Sequence, residues 1–117
     1  MARLPVFLCF LLLALMGSSS AAPSCPTVKT QLAPCHSYVE GNLKADPSEA
    51  CCSGLKDILE LVKTREDGVS LCNCIKTTVI DDRDIPSRIA ELPKKCGLPY
   101  KIPPIDKNFD CNKISLN

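Results

Sequence analysis

The chain has 117 residues, with 14 Lys and Arg against 13 Asp and Glu, nine cysteines, ten prolines, one histidine and no tryptophan. A charge so close to neutral provides no field to steer the molecule to nucleic acid or another polyanion, and the length suits one small domain. The first element is a leader: Arg3, an apolar run from Val6 to Met16, then small residues from Gly17 to Ala22. It reads as a signal peptide, because the run is too short to span a bilayer. Small residues at Ser19 and Ala21 predict cleavage after Ala21, which leaves residues 22–117 as the mature domain. Cleavage removes Arg3 and Cys9, so 13 basic residues face 13 acidic ones and eight cysteines enter an oxidising compartment, where thiols pair. The segment Lys113–Asn117 has neither an apolar tail nor a retention signal, and the chain has no Asn-x-Ser/Thr sequon. The expected destination is outside the cell, without glycosylation at Asn.

The first helix is predicted from Cys25 through Val28, Leu32 and Cys35 to Val39, in steps of three and four along one face. Ser24 is its candidate cap, Pro26 suits its first turn, Pro34 should bend it and Gly41-Asn42 should end it. Asp46 as cap, Pro47 at the first position and Glu49 three residues on predict a second helix. Its inward face is Cys51, Cys52, Leu55, Ile58, Leu59 and Val62, and it should stop near Thr64. Thr64 to Gly68 reads as a short loop that contains a candidate cap, before a third helix that buries Leu71 or Cys72, Ile75 and Val79. In that helix Cys72 and Cys74 lie about 200° apart and must find partners on different sides, with Asn73 facing water. Asp81 to Asp84 reads as a solvated turn. Pro86, Ile89 and Leu92 predict a short fourth helix ended by Pro93. Beyond Gly97, Pro99, Pro103 and Pro104 forbid regular helix and disfavour a central strand, so an extended tail pinned by Cys111 should lie over the helices.

Beyond the leader the chain has one Phe and two Tyr, so its interior is built from Leu, Ile and Val. One reading is an ordinary small core stapled by disulfides. The other is a hollow interior, which four disulfides worth roughly 3 kcal/mol each could hold open. The cysteines follow the order C-x9-C-x15-CC-x19-C-N-C-x21-C-x14-C. Spacing alone does not give their pairing, and composition does not choose between the two interiors.

That cysteine order, with the adjacent pair Cys51-Cys52 and the doublet Cys72-Asn73-Cys74, resembles the plant non-specific lipid-transfer proteins over the whole mature chain. The x9 and x19 intervals, the polar Asn73, Leu32-Ala33-Pro34-Cys35 and the position of Tyr38 are similar to the type 1 branch. The resemblance implies an all-α fold of four short helices and an extended C-terminal tail around a hydrophobic tunnel for acyl chains. It also implies the pairs Cys25–Cys74, Cys35–Cys51, Cys52–Cys96 and Cys72–Cys111. Exchanging Cys72 and Cys74 would turn the Asn73 amide inward, where an unpaired polar group costs about 1–3 kcal/mol. Expected lipid-contacting residues are Val28, Leu32, Leu55, Leu59, Ile75, Val79, Ile89, Leu92, Tyr100 and Ile102. Two departures bear on the headgroup. The family's Thr-x-x-Asp-Arg motif appears as Thr64-Arg65-Glu66-Asp67-Gly68, without its arginine and with Arg65 placed on a different side of the loop. Pro99-Tyr100-Lys101-Ile102 lies two residues closer to the preceding cysteine than the family's Pro-Tyr-x-Ile, so a strict count from Cys96 puts Ile102 in the tyrosine's place.

No metal or cofactor is expected: the sulfurs are committed to disulfides, His36 stands alone in sequence, and Asp81, Asp82 and Asp84 lack the glycine and glutamate of a calcium loop. No nucleophile motif points to an enzyme. The leading function is a monomeric, secreted carrier, in the cell wall or at the surface, that binds fatty acids, lysolipids or phospholipids and touches membranes transiently. The alternatives are a protease or α-amylase inhibitor presenting Thr64 to Gly68 as a rigid loop, and an antimicrobial defence protein. Zero mature charge weakens the second of these.

Overall fold

The computed structural model describes residues 24–41 and 46–116; the leader, its cleavage site and Asn42 lie outside them. Four helical rods make up the described fold. The first rod is α1 (Cys25–Leu32), a 3-10 turn (Ala33–Cys35) and α2 (His36–Val39) in succession. The second is α3 (Glu49–Glu60); the third is α4 (Arg65–Cys74), continued by a π-helical turn (Ile75–Val79); the fourth is α5 (Pro86–Lys95). The remainder, to Leu116, is an extended tail with one 3-10 turn at Cys111–Lys113.

Pro34 bends the first rod as its missing donor requires, by tightening the chain into the 3-10 turn. Ser24 stands at the N-cap position, but its hydroxyl donates to Thr27 Oγ1 at 2.7 Å and caps no backbone amide. Asp46 is not the cap of the second rod. Ser48 is, because its side chain accepts the Cys51 amide, and the helix therefore begins at Glu49. The same rod ends at Glu60, short of Thr64, because Thr64 starts the next one. Thr64 accepts the Asp67 amide while Asp67 Oδ2 accepts the Lys63 and Thr64 amides at 2.9 and 3.1 Å. This reciprocal capping makes the predicted loop the first turn of α4, and it accounts for the burial of Asp67. Nor does Pro93 end α5, which runs on to Lys95. The ring is buried in the last turn, and the helix closes past it as the Cys96 amide donates to the Leu92 carbonyl at 2.9 Å.

Gly54 lets α1 and α3 approach closely: a Cβ there would overlap the Gln31 carbonyl oxygen and lie 2.9 Å from its carbon. The sulfurs join Cys25 to Cys74, Cys35 to Cys51, Cys52 to Cys96 and Cys72 to Cys111, with Cα separations of 4.8 to 5.6 Å. Cys74 therefore ties α4 to α1 while Cys72 ties it to the tail, on different sides as the helical angle demands, and Asn73 is exposed. The tail closes the remaining side. It buries Ile102, Ile105 and Ile114; Lys101 N donating to Leu116 O closes the tail on itself, and Lys76 Nζ donating to Phe109 O at 2.5 Å fastens it to the third rod.

Candidate functional site

At the centre the four rods and the tail surround an apolar cavity of about 30 Å³. Leu32 from α1, Leu55 from α3, Ile75 and Val79 from the π-helical turn, Ile89 and Leu92 from α5, and Ile102 from the tail line it. The π turn has a local cause. Thr77 and Thr78 hydroxyls donate back to the Asn73 and Cys74 carbonyls at 2.8 and 2.6 Å, and Ile80 N donates to Ile75 O five residues back. The wider turn brings Ile75, Val79 and Ile80 together at the cavity wall.

Seven of the ten lipid-contacting residues named from the sequence are thus gathered around one space. Val28 and Leu59 are fully buried in the surrounding core without lining it. Tyr100 is half-buried in a separate groove of about 600 Å³ beside Lys94, Leu98 and Ile102. The short interval after Cys96 has the effect a strict count gives: Ile102 takes the inner place and Tyr100 the outer one. Cys35, Val39 and Ile80 also line the cavity. Val39 and Ile80 extend the helical spacing of their neighbours, which is the signal that finds them. Ile105 and Ile114 carry no such signal, because a proline-rich tail has no period.

Among the residues that line the cavity, His36 and Asp84 carry the polar side chains. Both are half-buried, and so is Asp81, so the Asp81–Asp84 turn is only partly solvated; Asp82 and Arg83 are its exposed members. Burial holds the Asp84 carboxyl above its ordinary value, and the bond it accepts from the Asp81 amide offsets part of that.

A second groove, of about 320 Å³, lies between the start of α4 and the end of the tail. Val62, Lys63, Arg65, Gly68, Ile114 and Leu116 line it. Arg65 and Gly68 therefore face the same space, against the expectation that they lie on different sides, because residues 65 to 68 form one helical turn. The exposed Arg65 guanidinium donates to the Asn112 carbonyl and so fastens α4 to the tail. A Cβ at Gly68 would meet Leu116, Val62 and Ile114 at 3.6 to 3.9 Å, ordinary contact distances.

Tyr38 is buried outside the cavity. Its hydroxyl donates to Glu91 at 3.3 Å, and the Arg88 guanidinium stands 4.9 Å over its ring while donating to the Tyr38 carbonyl. Burial, followed by the negative Glu91, holds the Tyr38 phenol above its ordinary value.

Four helical rods, four disulfides and an aliphatic ring around an internal space define a small eight-cysteine helical protein. Residues 25–111 match the family described as protease inhibitor/seed storage/LTP family. Over 97 residues the chain is 40% identical to a non-specific lipid-transfer protein of Ambrosia artemisiifolia, covering 83% of this chain and 80% of that one. It is 37% identical over 119 residues to non-specific lipid-transfer protein 3 of Lens culinaris, covering 99% and 95%. The wheat non-specific transfer protein, solved with two phospholipid molecules, superposes with a TM-score of 0.62 at 33% identity over 79% of this chain and all of that one. Barley non-specific lipid transfer protein 1, solved with a lysophosphatidylcholine, superposes with a TM-score of 0.63 at 30% identity over 80% and 100%. The chain belongs to the plant non-specific lipid-transfer proteins, a family of non-enzymatic lipid carriers that are typically secreted.

Proposed function

We propose that this protein carries fatty acids, lysolipids or phospholipids by sheltering acyl chains in its central cavity, contacting membranes only to load and release them. The observation that carries this reading is the ring of Leu32, Leu55, Ile75, Val79, Ile89, Leu92 and Ile102, drawn from every rod and the tail onto one apolar space. That space is small: about 30 Å³ against roughly 300–1,000 Å³ for typical ligand pockets. An acyl chain must therefore push the walls apart. Ile102 sits on the tail, which among the described residues is tied to the rods by the Cys72–Cys111 disulfide and by side-chain bonds from Lys76 and Arg65 rather than by a backbone ladder, so the tail wall is the one that yields. The disulfides keep the rods in register while it does. Removal of residues 1–21 and release to the cell wall or surface as a monomer complete the reading. Against the inhibitor alternative stands the capped first turn of α4, which occupies the place of the loop that reading would use.

A fluorescent acyl probe should brighten on binding the oxidised protein and be displaced by unlabelled fatty acid or lysolipid. Reduction of the disulfides should abolish the signal. Absence of brightening at every probe chain length would overturn the carrier reading.

A further inference from the structure

We propose that His36, Glu40, Asp81 and Asp84 form a binding site for one divalent transition-metal cation of the zinc class. The sequence gives no hint of it, since the four residues lie in two segments about forty positions apart. The fold brings one ligand atom from each to within 4.8 Å of all the others. Four nitrogen and oxygen ligands around a tetrahedral zinc stand about 3.4 Å apart, so modest side-chain rotation closes the set.

The two halves of the site are built separately and then tied together. His36 opens α2 and Glu40 is its C-cap, one helical turn on, with Nδ1 4.0 Å from Oε1. Asp81 and Asp84 share a turn in which the Asp81 amide donates to Asp84 Oδ2 at 3.1 Å and the Arg83 amide donates to Asp81 Oδ1 at 2.8 Å. These amide bonds fix one oxygen of each carboxylate and so orient the other, the role that outer hydrogen bonds play around metal ligands. Between the halves the Ile85 amide donates to the Val39 carbonyl at 2.8 Å and holds the turn against α2.

A second observation points to the same place. Asp84 Oδ1 is the one buried side-chain oxygen or nitrogen without a hydrogen-bond partner among the described residues. A carboxylate oxygen withdrawn from water with no partner is destabilising, and a cation supplies the missing partner. Arg83 does not fill that role: its guanidinium is exposed and stands 3.9 Å from Asp81 Oδ2. The donor set of one imidazole and three carboxylates suits zinc better than calcium, which prefers six to eight oxygens. Every described cysteine is in a disulfide, so no thiolate competes. Because His36 and Asp84 also line the cavity, the cation would sit at the wall of the aliphatic space. The proposal does not depend on what fills that space.

The test is a zinc chloride titration of the oxidised protein without a histidine tag, followed by calorimetry and by the ring proton resonances of His36, the sole histidine. One saturable site per molecule is expected, with the His36 resonances shifting in step with the heat. His36→Gln and Asp84→Asn should each weaken binding at least tenfold while retaining the helical circular dichroism of the parent. Asp82→Asn, in the same turn but exposed and outside the cluster, should leave the affinity unchanged. Three results would overturn the proposal: no saturable binding up to millimolar zinc, undiminished affinity in both ligand variants, or calcium binding the wild-type protein more tightly than zinc does.

Discussion

At Gly68 and Arg65 the headgroup question comes down to two side chains on one helical turn. A glycine side chain supplies no charge, and the Arg65 guanidinium is already engaged with the Asn112 carbonyl. Binding should therefore rest on chain burial, with little dependence on headgroup charge. Gly68→Arg fits at ordinary contact distances and would aim a cation into the groove. A charge-assisted hydrogen bond is worth about 1.5–3 kcal/mol, so the variant should bind a fatty acid at least tenfold more tightly and its methyl ester no more tightly. Competition against a fluorescent probe measures both; equal gains for acid and ester would show that the groove does not meet the headgroup. Tyr38 gives a pH signature at the same scale. Its folded pKa lies above 10.0, so the fold holds that proton more tightly than the unfolded chain does. Its stabilising contribution is complete below pH 10 and is lost as pH rises through the folded value. In a Tyr100→Phe variant, where Tyr38 is the only tyrosine beyond the leader, ultraviolet titration should give a midpoint above 10.0. The alkaline fall in melting temperature should also be shallower in Tyr38→Phe than in the parent.

Among the elements, the α1–α3 crossing is the tightest joint, and it depends on the absence of a side chain at Gly54. Gly54→Ala would place a methyl group on the Gln31 carbonyl, and a backbone atom has no rotamer into which to retreat. Overpacking of this kind costs about 1–3 kcal/mol, so the melting midpoint should fall by several degrees. An unchanged midpoint would mean that the two rods stand further apart. The rods themselves were legible because apolar residues at steps of three and four leave a plain trace: Val28, Leu32, Leu55, Ile75, Ile89 and Leu92 all fall inside. Their ends were not. Ser48 displaced Asp46 as cap, and Thr64 with Asp67 turned a predicted loop into a helix start, since several polar residues compete for each cap and only the backbone geometry selects one. The tail's inward residues Ile105 and Ile114, and the meeting of His36 with Asp84, depend on tertiary placement that no local pattern encodes.

Over its described residues the molecule is a disulfide-stapled shell around a small interior space. Its cavity of about 30 Å³ has room for about one or two water molecules. A carrier built this way must open for its cargo, and each methylene that enters adds about 0.8 kcal/mol of burial against the cost of moving the tail. Apart from His36 and Asp84, the walls offer an acyl chain only shape and apolarity, so chain length rather than headgroup should set affinity. Calorimetric titration of the oxidised protein with saturated fatty acids of increasing length, each below its micelle concentration, tests this most directly. The account predicts 1:1 binding that tightens by up to roughly fourfold per added methylene until the shell can open no further. Affinity that does not change with chain length, or no uptake at any length, would contradict it.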